Sequence, residues 1–209
     1  MVDLALVAFT TLFATIGPID AAIVYAAISA NSTARERHRM AIRGALIATL
    51  ILAVFAFAGK FVLDRLGVSL DGLRVGGGIL LILMAIDLVF GRSSGATTTT
   101  PDETSEAVER ADVSVFPLAT PLLAGPGAMG AIVLLMGQVE GDVGKQAVVV
   151  AVLVAIMAGA LVLLMLASQV QRVVSKTALN VVSRVFGVLL AALAAQFILD
   201  GIKGSGAFG

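Results

Sequence analysis

The sequence predicts an all-α membrane protein of six transmembrane helices, arranged as two inverted three-helix repeats with broken first and fourth helices. Three observations carry that expectation. Of 209 residues, 59% are hydrophobic and 13% charged, and the mean hydropathy is +1.04. A globular domain averages about 25% charged residues, so there is too little polar surface here to face water on all sides. Second, apolar runs close to the ~20 residues that cross a hydrocarbon core recur along the chain. Third, a Gly-Pro pair interrupts such a run twice, at Ile16-Gly17-Pro18-Ile19-Asp20 and at Ala124-Gly125-Pro126-Gly127-Ala128. A lipid-facing helix has no water for the carbonyls that such a break frees, so both breaks belong inside protein.

Taken in order, the spans are expected at 4–30, 42–63, 73–90, 113–136, 147–167 and 185–202. The first has Asp3 ahead of its apolar core and arginines after it, the reverse of a secretory signal, so it reads as a retained span. The second follows the basic cluster Arg35-Glu36-Arg37-His38-Arg39, and the third carries Gly76-Gly77-Gly78, which permits close helix packing. A polar stretch at 92–112 runs from Ser93 and Ser94 through four threonines to Asp102, Glu103, Glu106, Glu109 and Asp112. It reads as a cytoplasmic linker between a first repeat at 1–91 and a second at 113–209. The fourth span opens with Pro117, Pro121 and Pro126, more than one kink requires, and is expected to be unwound or re-entrant. The fifth and sixth complete the second half.

The halves correspond in register. Arg74-Val75-Gly76-Gly77-Gly78-Ile79-Leu80-Leu81 parallels Arg184-Val185-Phe186-Gly187-Val188-Leu189-Leu190, an offset of 110 between the arginines, and the Gly-Pro pairs are 108 apart. Three spans per half is an odd number, so a duplicated half inserts upside down. With both termini outside, the inner connections hold nine Lys and Arg and the outer ones five, the sense that the positive-inside rule requires.

Interrupted helices in opposed repeats are where secondary transporters bind solute and coupling ions. The residues expected to bind substrate are therefore Thr15, Gly17, Pro18 and Asp20 at the first break, and Thr120, Pro121, Gly125, Pro126 and Gly127 at the second. Unwound carbonyls suit an ammonium and a half-helix N-terminus suits a carboxylate. Asp20 is the most consequential, because an acid at membrane depth costs roughly 2.5–3.5 kcal/mol on insertion scales and marks an ion or proton path. The alternative is that it caps the second half-helix. The threonines have a plainer role too, bonding back to their own helix. Arg74 and Arg184 open spans three and six and are gate candidates, against the common use of such arginines to snorkel to head groups.

Several function classes drop out. Zero net charge gives no footing for nucleic acid, and the absence of cysteine removes thiolate metal sites and nucleophiles. His38 is the one histidine, and no phosphate-cradling loop, metalloprotease motif or nucleophile elbow is present, so no enzyme and no cofactor are expected.

The stretch Pro117-Leu118-Ala119-Thr120-Pro121-Leu122-Leu123-Ala124-Gly125-Pro126-Gly127-Ala128, together with Arg74 to Leu81, Met84-Ala85 and Phe90-Gly91, resembles the MarC family of integral membrane proteins. The likeness covers nearly the whole chain. It implies a bacterial inner-membrane protein, and by way of the family's small neutral amino-acid transporters it implies a neutral amino acid as the solute. The first-half motif departs from the family run Asp-Pro-x-Gly-Asn: Gly17 stands at the Asp, Asp20 at the Gly and Ala21 at the Asn. The leading expectation is a secondary transporter of a small solute driven by a proton or sodium gradient. An uncoupled channel or facilitator, and a non-transporting accessory subunit, are the alternatives.

Overall fold

A computed structural model describes residues 1–29, 32–91, 112–167, 169 and 176–206, and among these there are helices and no strands. Helix α1 (Val2–Ile16) stops at Gly17, whose backbone is left-handed at φ 57°, ψ 55°. Glycine adopts that conformation without a Cβ penalty. Pro18 then opens α2 (Pro18–Ile28), filling a first-turn position where its missing N–H costs nothing. The two run on as one candidate span, Val2–Ile28.

Helix α3 (Ala34–Arg65) has 32 residues. At 1.5 Å per residue it is about 48 Å long, against a hydrocarbon core of about 30 Å. It therefore begins well before the expected residue 42, and its first turns carry the arginine cluster out of the apolar slab. A capping box starts it: Thr33 N–H donates to Glu36 Oε2 at 2.8 Å, and Glu36 N–H donates to Thr33 Oγ1 at 3.3 Å. The fully buried Tyr25 ties α2 to this start, its hydroxyl donating to the Arg37 carbonyl at 2.6 Å.

Helix α4 (Leu70–Phe90) is capped by Ser69, whose Oγ accepts from Gly72 N–H at 3.0 Å. Residues 92–111, most of the expected linker, lie outside the described residues. At its end Asp112 pairs with Arg43 of α3 at 2.7 Å. The segment Ser114–Leu123 is loosely wound, with Leu118 N–H donating to the Val113 carbonyl and Ala124 N–H to the Ala119 carbonyl, each five residues back. Phe116 and Thr120 within it have extended dihedrals, and the Phe116–Pro117 and Thr120–Pro121 peptide bonds are cis. Helix α5 (Pro126–Gln138) follows at an angle of 54° to that segment. Helix α6 (Val143–Met165) is capped by Asp142, and α7 (Lys176–Gly204) begins nine residues ahead of the expected 185. Five stretches are long and apolar enough to cross a membrane by themselves, and the bent pair 114–138 makes a sixth if taken as one span.

The centre of the molecule is α5, buried continuously from Ala131 to Gly137. Its enclosure comes mainly from the first half: α1, α3 and α4 all pack on it. The extensive pairings join one half to the other throughout: α1 and α2 with α6, α3 with 114–123, α5 and α6, and α4 with α7. Of these, α4 against α7 is the closest. A Cβ added at Gly78 would stand 2.9 Å from the Ala194 carbonyl oxygen, and one added at Gly187 would stand 3.1 Å from that of Ala85. The absence of side chains at both crossings lets the backbones approach.

Candidate functional site

At the first break the hydrogen-bond ladder is cut for simple reasons. Gly17 N–H donates back to the Phe13 carbonyl at 3.0 Å, and the next bond is Ala21 N–H to Gly17 O at 2.9 Å. Pro18 has no N–H to offer Ala14, and the amides of Ile19 and Asp20 lie in the unpaired first turn of α2. The N-cap residue is Gly17, which has no side chain to offer, and Asp20 follows in the first turn of the helix. The Asp20 carboxylate hangs over Gly17, where an added Cβ would meet Oδ2 at 3.6 Å.

Beside it is a cavity of about 20 Å³, lined by Phe13, Gly17, Pro18 and Asp20 from the first span, Leu88 from α4, and Ser183 and Phe186 from α7. One water fits such a volume. The site as it stands has room for one water against the carboxylate and is too small for an amino acid. Phe13 and Phe186 close over it, ring centroids 4.6 Å apart.

The second break has no ionisable group. Thr120 and Pro121 are half-buried, Gly125 is buried and Pro126 exposed. Gly127 is pressed on by Met84 of α4, whose thioether occupies the place a Cβ would take. One turn further along α4, Leu88 walls the Asp20 cavity. Residues four apart share a helix face, so the two breaks touch the same face of α4 about one turn apart.

The remaining sequence candidates lie away from this point. Thr15 is buried and turns its hydroxyl back, donating to the Thr11 carbonyl at 2.8 Å. Arg74 is half-buried and paired with Asp71 at 2.8 Å, next to Gly201 near the end of α7. Arg184 is exposed and, because α7 starts at Lys176, it lies two turns inside its helix rather than opening it. The antiparallel crossing of α4 and α7 puts these arginines at opposite ends of the pair.

Sequence reasoning missed Phe13, Leu88, Ser183 and Phe186. Phe186 stands within the repeated Arg-Val-Phe-Gly stretch, where it replaces the Gly76 of the first half. That asymmetry was the available signal; nothing local marks the other three.

A family model described as "MarC family integral membrane protein" matches residues 2–205. A UPF0056 membrane protein of Methanocaldococcus jannaschii is 32% identical over 200 residues, covering 96% of this chain and 96% of its own. The Escherichia coli UPF0056 membrane protein YhcE is 33% identical, covering 94% of this chain and 90% of its own. For the Bacillus subtilis relative YvbG the identity is 31%, over 94% and 92% of the two chains. No solved structure matches the chain.

Proposed function

This chain belongs to the MarC family of integral membrane proteins, and from that premise we propose that it is a secondary transporter moving a small solute across the plasma membrane. A proton or sodium gradient supplies the drive, and the solute is a neutral amino acid. The observation that carries this reading is that one face of α4 touches both helix interruptions, Leu88 walling the cavity beside the Asp20 carboxylate and Met84 seated on Gly127 one turn away. Intramembrane acids next to broken helices are costly to keep and serve ion or proton movement.

The transport cycle follows from an inverted repeat, 1–91 against 113–209, with both termini outside. Its support is reciprocity in the packing. Glycines stand at both close crossings of α4 and α7, Gly78 against Ala194 and Ile198 and Gly187 against Ala85 and Val89. Likewise the broken span 2–28 packs on α6, while α3 packs on the broken span 114–138. Rocking one half on the other would open the site to each side in turn. Asp20 takes a proton when the site faces the side of higher proton concentration and gives it up on the other. The second break supplies unwound backbone for the solute.

Uptake of labelled neutral amino acids into proteoliposomes, with and without an imposed proton or sodium gradient, tests the reading. Accumulation that collapses with an uncoupler supports it. Flux that ignores the gradient would mean a facilitator, and no flux of any solute would leave an accessory subunit.

A further inference from the structure

The Phe13 ring stands between two spaces. On one side is the small cavity at Asp20. On the other is an apolar crevice of about 170 Å³ between α1 and α6, lined by Phe9, Phe13, Pro18, Ala155, Gly159 and Leu163. Phe13 and Pro18 belong to both walls. We propose that Phe13 is a movable partition: it rests on Phe186 when the Asp20 site is closed, and swings into the crevice against Gly159 when the site opens. The proposal deepens the transport reading and rests on it for its purpose, while the geometry is independent of any solute.

The size of the crevice fits the ring. An enclosed apolar cavity of about 150 Å³ takes up a benzene molecule, and this crevice, open along one side, has room for a phenyl ring. Its buried floor is Ile156 and Ala160, and its rim carries the small exposed residues Ala155 and Gly159, where a Cβ added at Gly159 meets nothing within 4 Å. A helical phenylalanine has two favourable χ1 wells, so the ring can change sides without unwinding α1. The backbone at Phe13 is held meanwhile, because its carbonyl accepts the Gly17 amide that closes the helix. In the closed position the ring is gripped by stacking on two neighbours, Phe186 at 4.6 Å and Phe9 at 5.4 Å between centroids. Phe9 and Phe13 come from the first half and Phe186 from the second, so a relative movement of the halves would loosen the grip.

The chain has no cysteine, which allows a direct test. Ala14 lines the Asp20 cavity and is only 6% exposed. An Ala14→Cys protein in proteoliposomes is treated with a small cationic thiol reagent and its labelling rate measured. Adding Gly159→Leu, which fills the crevice, should slow labelling about tenfold, the effect of a ~1.4 kcal/mol shift in the open–closed equilibrium. Adding Phe13→Ala should speed it by a similar factor, and Phe186→Leu should do so if Phe13→Ala does not give folded protein. Unchanged labelling with the crevice filled overturns the partition. Labelling that responds in a protein that takes up no solute keeps the partition and removes transport. Uptake with unresponsive labelling does the reverse.

Discussion

At the first break one left-handed glycine separates two helices that continue as a single span, and a carboxylate lies against it. At the second break three prolines, two extended residues and a 54° bend lie between residues 114 and 126, with no ionisable side chain among them. Both interrupt a helix inside protein, yet they do so by different means. The first alters the backbone as little as a break can and carries a charge there. The second alters the backbone a great deal and packs it tightly, with Met84 seated on Gly127. The contrast teaches that helix interruption has two separable products, an acid set beside a barely altered backbone and a strongly altered backbone with no acid; under the proposed function the first would serve the coupling ion and the second the solute.

The strongest way to break this division of labour is Asp20→Asn. Gradient-driven accumulation in proteoliposomes should be abolished while solute exchange survives, because the amide keeps the shape and loses the titratable proton. Folding should change little, since asparagine keeps the size and shape of the side chain. Full proton-driven accumulation in this variant would end the coupling role.

The converse test is Gly127→Val at the second break. Its branched Cβ must displace the Met84 side chain, and overpacking of that kind costs about 1–3 kcal/mol. Both the midpoint of thermal unfolding and the exchange rate should fall, the first break remaining intact. Wild-type stability would show that the second break is not the tightly packed one.

Gly17→Ala should act more gently. An alanine forced into the left-handed region costs about 1–2 kcal/mol, relieved in part if α1 and α2 straighten. A calorimetric loss smaller than that of Gly127→Val is expected.

The smallest effect sharpens the comparison from outside. Asp142 caps α6 in the ordinary way, its Oδ1 accepting Lys145 N–H at 3.0 Å. That hydrogen bond holds its carboxyl below the usual carboxylate range, with the Lys145 charge a lesser cause. A lowered carboxyl stabilises the folded chain above its unfolded value, and the contribution disappears as pH falls through the folded one. Unfolding followed from neutral pH into acid should show that slope in the wild type and a flatter one in Asp142→Asn. Asp20→Asn should leave the slope in place.

Both breaks were legible in the sequence because a proline's missing N–H is a local fact, and the apolar runs marked the spans that contain them. Span beginnings were less so. Apolarity marks only the apolar run, whereas Thr33 with Glu36 starts α3 ahead of its run, and Lys176 starts α7 ahead of its own. The capping box was readable and would have moved the first of these boundaries. The cavity at Asp20 was not readable. It joins residues near 13–20, Leu88 and 182–186, which only the packing of α4 and α7 against the first span brings together. Nor does spacing distinguish a threonine that faces a site from one that bonds its own helix, as Thr15 does.

The cross-pairing of the halves bears on how the chain is made. A ribosome delivers α1 to α4 first, and the faces of those helices are fitted to partners that have not yet been synthesised. The early helices must wait in the bilayer with glycine-bearing faces and an acid uncovered, much as a subunit of an obligate dimer waits for its mate. The packing is completed only when 114–138 takes its place against α1, α3 and α4. Biogenesis of this protein is thus an assembly reaction between two pieces of one polypeptide. Severing the chain between residues 92 and 111 and supplying both pieces together should still yield the whole.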